Sequence, residues 1–157
     1  MNRFRIRQER EVSPEKRELH RQFIGIRLGA EEYIIEITKA REILVFDGIT
    51  YVPRVAGHFE GVINLRGDVV PVINLRAKLG MAAVPLTPGA RIIIAESASG
   101  APVGLLVDAV TTVIHLPESG IEPASAAVGE VAAEYIKGIG RAGGSIVGWL
   151  DVDKLVA

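Results

Sequence analysis

The pentapeptide Val-Ile-Asn-Leu-Arg occurs twice within fifteen positions, at residues 62–66 and 72–76. Gly67-Asp68 stands between the two copies. Two runs rich in β-branched residues around a Gly-Asp pair predict a β-hairpin whose two-residue loop is Gly67-Asp68. This repeat constrains the fold more than any other feature, because it predicts both a tight turn and the two strands that the turn connects.

The predicted hairpin has one apolar face and one mixed face, because successive side chains of a strand point to opposite sides. The apolar face, which we expect to be core, consists of Ile63, Leu65, Val70 and Val72. Asn64 and Arg66 lie on the other face beside the turn, where a charge is held on a rigid, exposed surface. That position suits contact with a partner.

The composition predicts a small soluble cytoplasmic protein. The chain has 157 residues, of which 48% are hydrophobic and only 5% aromatic, so we expect one domain or two small subdomains with an aliphatic core. The net charge of −1 gives no reason to expect nucleic acid as a partner. The absence of cysteine excludes disulfides and thiol catalysis and suits a reducing cytoplasm. No apolar run approaches the ~18 residues that span a bilayer, so we expect no membrane insertion.

The chain divides at about residue 22. Residues 1–22 are polar and charge-dense and predict a flexible segment, whereas the rest consists of short strands separated by Gly and Pro. Ile37, Ala40 and Ile43 or Leu44 have helical spacing and predict two turns of helix. Many short strands with hardly a long helix indicate an all-β barrel or sandwich. Besides the hairpin, the predicted strands are 23–28, 33–37, 49–53, 91–96, 103–108, 110–116, 135–141 and 145–150, with short helical turns at 75–79 and 152–156 and a loop at 121–134.

The sequence offers no constellation of residues for catalysis, metal binding or a cofactor. His20, His58 and His115 are scattered, without a second ligand at metal-binding spacing. Gly138-Ile139-Gly140 lacks the third glycine of a dinucleotide fingerprint. Trp149 is interpreted as a strand residue packed under the closing helix rather than as a binding anchor, and Asp151 or Asp153 as a cap of that helix. A small β-barrel hydrolase with an unrecognised site stays the weaker alternative.

The hairpin also resembles the signature of the CheW family, the chemotaxis scaffolds that join receptors to the CheA histidine kinase. Further segments are similar to other blocks of that family, in the same order and at similar spacing, over roughly residue 22 to the C-terminus. These segments are Leu28–Tyr33, Ile37–Ile43, Gly104–Val110, Tyr135–Gly140 and Leu150–Leu155.

The resemblance implies a more specific fold. CheW-like proteins consist of two SH3-like five-stranded β-barrels packed side by side, in which the last strand returns to the first barrel. We therefore expect a single CheW-like domain over residues 23–157. Its subdomains are expected at about 23–65 with 145–156, and at about 69–141.

The resemblance further implies a non-catalytic adaptor with two partners: the regulatory domain of a CheA-type kinase and the cytoplasmic tip of a methyl-accepting chemotaxis receptor. A CheW-like module of a pilus, gliding or gene-regulatory pathway is the alternative. The arginine of the family's Asn-Leu-Arg-Gly motif is associated with receptor binding and corresponds to Arg66, next to Asn64. Ile37 and Ala40 correspond to positions in the groove that binds the receptor in this family. Glu42 corresponds to a position that is commonly acidic, and Gly61 corresponds to a position that is occupied by a small residue at the interface.

Overall fold

The computed structural model describes residues 20–46, 57–82, 84–123, 131, 133–142 and 144–157. The predicted strand 49–53, most of the predicted N-terminal segment and part of the predicted loop 121–134 lie outside these residues. The last three residues of the predicted N-terminal segment, His20–Gln22, instead begin the first strand.

The described residues form eleven strands, two one-turn α-helices and three 3₁₀ turns. The strands are β1 His20–Leu28, β2 Glu31–Glu36, β3 Glu42–Val45, β4 Phe59–Leu65, β5 Asp68–Asn74, β6 Arg91–Glu96, β7 Pro102–Val107, β8 Ala109–Pro117, β9 Ile121–Glu122, β10 Ile136–Ala142 and β11 Ser145–Leu150. The helices are α1 Leu75–Lys78 and α2 Val152–Leu155, and the 3₁₀ turns are Ile37–Lys39, Glu118–Gly120 and Ala133–Tyr135. The all-β prediction is confirmed, as are the strands of the last hairpin and the helical turn after β5.

The strands are divided between two sheets. Sheet 1 has the order β8-β1-β2-β11-β10-β9, and sheet 2 has the order β3-β6-β7-β5-β4. Neighbouring strands are antiparallel except for β2 with β11 and β5 with β7, which are parallel. Sheet 1 has six strands rather than five because the two-residue β9 adds to its edge.

Each sheet curls so that its own two edge strands approach each other. In sheet 1 the edge strands β8 and β9 are joined by only Glu118–Gly120, a connection that spans at most about 14 Å. In sheet 2 the edge strands β3 and β4 meet where Glu42 forms an ion pair with Arg66, just after the end of β4. The curling follows the SH3-like architecture that the resemblance implied.

The division of strands between the sheets differs from the predicted subdomain boundaries. β3 and β4 fall within the segment assigned to the first subdomain but belong to sheet 2, whereas β8, β9 and β10 fall within the second segment but belong to sheet 1. The strand partners are set by long-range pairing, such as that of Glu42–Val45 with residues 91–94, which local sequence pattern does not specify.

Alternate side chains of the central strands enter different cores. In β6, Ile92 and Ile94 face the interior of sheet 2, whereas Ile93 and Ala95 face a core shared by both sheets. In β2, Tyr33 and Ile35 enter this shared core from sheet 1. A strand that is buried on both faces has a continuous run of apolar residues, because both sets of side chains enter a core. This explains the Ile-Ile-Ile run of β6. The two sheets therefore pack against each other through one aliphatic layer.

Two local predictions are corrected by tertiary packing. The helix predicted from Ile37 is only a 3₁₀ turn, because the chain extends again to pair β3 with β6. Trp149 is buried, as predicted, but within sheet 1 rather than under α2. Its ring meets Phe23 edge-on at 5.2 Å between ring centroids. The cap prediction is confirmed for Asp151, whose Oδ1 accepts a bond from the Lys154 backbone N–H at 3.3 Å.

Candidate functional site

The hairpin is confirmed, but its loop is Arg66-Gly67 instead of Gly67-Asp68. Leu65 pairs with Asp68 across the turn, so the loop lies one residue earlier than predicted. Both loop residues have positive φ, 52° for Arg66 and 91° for Gly67, as a type I′ turn requires. Glycine takes the second position, and Arg66 adopts the left-handed region at a cost of about 1–2 kcal/mol.

Moving the loop by one residue leaves the predicted faces intact. From Gly61 to Leu65, each residue of β4 faces a partner in β5 two positions earlier than predicted, and a shift of two preserves the alternation of sides. Val70 and Val72 are buried, and Ile63 and Leu65 pack partly against them in the core of sheet 2. Asn64 and Arg66 remain exposed.

Asn64 supports the turn from within the hairpin. Its Oδ1 accepts a hydrogen bond from the backbone N–H of Gly67 at 3.0 Å. An asparagine that bonds the backbone three residues later stabilises a turn of this kind. The side chain that was predicted to contact a partner therefore also helps to hold Arg66 in position.

Arg66 and Glu42 form a forked ion pair. Arg66 Nη1 lies 3.3 Å from Glu42 Oε1, and Nη2 bonds Oε2. The side chain of Arg66 is 70% exposed and that of Glu42 is 31% exposed. The hydrogen bond and the charge of Arg66 hold the pKa of the Glu42 carboxyl below its ordinary value, and the same contact raises the pKa of Arg66. Both groups are therefore charged at neutral pH.

The other predicted site residues lie closer to the core. Ile37 and Ala40 are half-buried and pack against the core that the two sheets share. Gly61 is buried at a bulge of β4, opposite Val72, with φ 152°. The structure thus brings Glu42, Asn64 and Arg66 together at the surface, and places Ile37 and Ala40 on the chain segment that leads to Glu42.

The second copy of the repeat carries a pair of residues that sequence analysis did not combine. Arg76 lies in the helical turn after β5, its side chain is only 12% exposed, and it bonds Asp108. The repeat itself pointed to Arg76, whereas no sequence signal linked it to Asp108, 32 positions later.

Metal-ligand clusters and membrane-spanning helices were both sought among the described residues. Among them, no group of three or more His, Cys, Asp or Glu side chains is placed to hold a metal ion. No helix in the described ranges is long and apolar enough to cross a membrane.

Comparison with known proteins assigns the chain to a family. The model of the CheW-like domain matches residues 22–157, so the chain belongs to the CheW-like domain family. The chemotaxis protein CheW of Klebsiella aerogenes is 34% identical over 136 residues, which cover 87% of this chain and 81% of that protein. A probable chemotaxis protein CheW of Rhizobium etli is 37% identical over 120 residues, 76% of each chain.

A solved structure supports the fold independently. The crystal structure of the scaffolding protein TtCheW from Thermoanaerobacter tengcongensis superposes with a TM-score of 0.80 and is 31% identical, covering 87% of this chain and 92% of that one. Protein PilI of Pseudomonas aeruginosa is a more partial relative, 31% identical over 94 residues that cover 60% of this chain and 52% of that protein.

Proposed function

We propose that this protein is a non-catalytic scaffold of chemotaxis signalling that couples the cytoplasmic tip of a chemoreceptor to the regulatory domain of a CheA-type histidine kinase in the cytoplasm. Membership of the CheW-like family and the likeness to a solved scaffolding protein support the class of function. By binding both partners, a scaffold makes the conformation of the receptor a bias on the activity of the kinase.

The observation that carries the receptor part of the proposal is the exposed Arg66–Glu42 ion pair. A guanidinium has five N–H donors, and in the described part of the chain Glu42 accepts two bonds from it. Further donors can reach carbonyl or carboxylate oxygens on a helical receptor tip. The tight turn, braced by Asn64, holds the guanidinium in place before the partner arrives, which lowers the entropic cost of binding.

A binding experiment tests the scaffold mechanism. The full chain is mixed with a purified kinase regulatory domain and a soluble receptor signalling fragment from the same genome, and complexes are separated by size-exclusion chromatography. We expect a ternary complex. Mutual displacement of the two partners would contradict the coupling function, and a ternary complex with the components of a pilus pathway instead would favour the alternative of a CheW-like module in such a pathway.

Substituting Arg66→Ala tests the receptor site. Loss of a forked, charge-assisted contact should weaken receptor binding roughly 5- to 150-fold, measured by isothermal titration calorimetry. The thermal midpoint should move by no more than about 2 °C, because the change removes an exposed side chain and not core volume.

Arg141→Ala is the matched control. The side chain of Arg141 is 60% exposed and pairs with Glu122 at 3.3 Å on sheet 1. Its removal therefore also breaks an exposed ion pair. We expect normal receptor binding from this control. Equal binding by Arg66→Ala and the wild type, or equal losses in both variants, would refute the assignment of Arg66.

A further inference from the structure

Among the described strands, the chain passes between the two sheets at two places, which lie at opposite ends of β2. The first crossover is the segment Ile37–Arg41 after β2, and the second is the single residue Asp108, between β7 of sheet 2 and β8 of sheet 1. The backbone N–H of Asp108 donates to Arg27 O at 3.1 Å, and Arg27 pairs with Glu32 near the start of β2. The two crossovers are therefore separated by the length of a six-residue strand, roughly 20 Å.

The Asp108 crossover is held by a dense set of bonds. Arg76 follows β5 of sheet 2, and its Nε and Nη2 lie 2.9 Å and 2.7 Å from Asp108 Oδ2. The same oxygen accepts the backbone N–H of Gly29, in the β1–β2 turn of sheet 1, at 2.7 Å. Asp108 therefore joins an arginine of sheet 2 to a turn of sheet 1. We call this cluster of Arg76, Asp108 and Gly29 the Asp108 joint.

The joint is also closely packed. The side chains of Arg76 and Asp108 are 12% and 20% exposed, and Arg76 Nη1 donates to the carbonyl of Ala82 at 3.0 Å. Gly29 has φ +67°, and a Cβ built at this position would lie 3.0 Å from Arg76 Nη2. The guanidinium thus fits directly against the turn, and the charged groups are shielded from water by the elements that they connect.

The contacts at the other crossover are open to solvent. Lys39 pairs with Asp153 of α2 at 3.2 Å, and these side chains are 37% and 64% exposed. Arg41 pairs with Glu96, and both side chains are about half exposed. A cleft lies among these residues, lined also by Thr38, Ser97 and Val152. Water screens exposed ion pairs, so these contribute little to holding the two sheets.

We propose that Arg76 and Asp108 are positioning residues: the Asp108 joint fixes the angle between the two sheets and thereby sets the geometry of the receptor site at the other crossover. This inference rests on the proposed function, since Ile37 and Ala40 lie in that crossover and Glu42 follows it. Ile37 and Ala40 pack against the core that both sheets share, whereas Arg66 lies in the turn between two strands of sheet 2. Rotation of one sheet about a loosened joint displaces the groove residues from Arg66.

A distance measurement between the sheets tests the joint without any partner. The chain contains no cysteine, so the variant Val69→Cys/Val113→Cys carries two spin labels, one on each sheet, at residues that are 68% and 48% exposed. Double electron–electron resonance should give a narrow distance distribution in this background. Adding Arg76→Met should broaden or shift the distribution, whereas adding Arg41→Met, which breaks an exposed ion pair, should leave it unchanged.

Receptor binding is then compared in the unlabelled chain, with Arg141→Met as the control because Arg141 lies outside the receptor site. Arg76→Met should weaken binding of the receptor fragment roughly 2- to 30-fold, and Arg141→Met, which breaks the exposed pair with Glu122, should not. An unchanged distance distribution in folded Arg76→Met, or an equal change in Arg41→Met, would overturn the proposal. A changed distribution with undiminished receptor binding would also overturn it, because the angle would then not set the site.

Two provisions keep the result decisive. Folding is monitored by the fluorescence of Trp149, the single tryptophan, which is buried in sheet 1. If Arg76→Met does not fold, the distance is measured in Arg76→Lys, which retains the charge but loses the fork, and an unchanged distribution there would refute the joint. If the receptor fragment fails to bind the wild type, the proposed function fails, while the distance still decides the role of the joint.

Discussion

At the scale of single residues, the two copies of the repeat show how one local rule produces two structures. In both copies the asparagine Oδ1 accepts the backbone N–H three residues later: Asn64 that of Gly67, and Asn74 that of Ala77. The first bond closes a turn and the second caps α1. The residue after the arginine differs. Gly67 adopts positive φ, whereas Ala77 favours the helix.

This comparison also explains what the sequence could and could not predict at the site. The hairpin and its two faces followed from alternation and from the Gly-Asp pair. The position of the loop did not, because a type I′ turn needs glycine most at its second position and forces Arg66 into a conformation that non-glycine residues seldom adopt. The pairing of Arg66 with Glu42 depends on the curling of sheet 2, which no local signal encodes.

The conformation of Gly67 gives a residue-scale prediction. A Cβ at Gly67 meets no atom within 4 Å, so Gly67→Ala introduces backbone strain at φ +91° without a clash. We expect a loss of about 1–2 kcal/mol in the free energy of unfolding in urea. Gly57→Ala is the control, because a Cβ there also meets open space but the backbone is not in the left-handed region. Equal stability of the two variants would contradict the turn geometry.

At the scale of elements, β10 contains two glycines at the positions where large side chains of the sheet 1 interior pack against it. A Cβ on Gly138 would lie 2.9 Å from Trp149 Cε3, and a Cβ on Gly140 would lie 2.6 Å from Leu116 Cδ1. The motif Gly138-Ile139-Gly140, which is too short for a dinucleotide site, therefore has a packing role. Glycines at alternate positions of one strand face the same side and make room there for the tryptophan and leucine.

Gly140→Ala should accordingly destabilise the fold. Overpacking a filled core costs about 1–3 kcal/mol, and Leu116 is itself only 3% exposed and has little room to move. The measurement is urea unfolding followed by Trp149 fluorescence, with Gly57→Ala again as the control. A Gly140→Ala variant as stable as the control would show that the interior of sheet 1 is looser than the contacts indicate.

The elements that were hardest to predict are those that connect the sheets. Ile37 and Ala40 both pack against the shared core, as their helical spacing suggested, but a 3₁₀ turn followed by an extended strand achieves this as well as a helix does. The deciding interaction is the pairing of β3 with β6, whose sequence separation is about 50 residues. Short apolar runs leave helix and strand ambiguous until such pairing is known.

At the scale of the whole molecule, two curled sheets share one aliphatic core and are tied by a charged joint. A mostly buried ion pair is weak evidence for added stability, since hydrophobic residues of similar volume often stabilise a fold as much. Their advantage is directional: the planar guanidinium and the carboxylate fit in one orientation, whereas an aliphatic layer tolerates sliding. The shared core supplies cohesion between the sheets, and the joint supplies their angle.

The joint makes the stability of the whole fold depend on pH in a defined direction. Burial alone would raise the pKa of Asp108, but the bonds from Arg76 and Gly29 and the charge of Arg76 outweigh it and lower this pKa below its ordinary value. A carboxyl whose pKa is lower in the folded state stabilises the fold at pH values above its unfolded pKa, about 3.9, and loses this contribution as the pH falls through the folded value.

Asp108→Asn, which cannot ionise, tests this dependence. Because the variant removes the negative charge that Asp108 places against the mostly buried guanidinium of Arg76, we expect its free energy of unfolding at pH 7 to be lower than that of the wild type by about 2–3 kcal/mol. The difference should shrink below about pH 4, since the wild-type carboxyl is then increasingly protonated in both states. Urea titrations from pH 2.5 to pH 7 measure it. A difference that is constant over this range would show that Asp108 stabilises the fold through the hydrogen-bond acceptors of its carboxyl group and not through its charge.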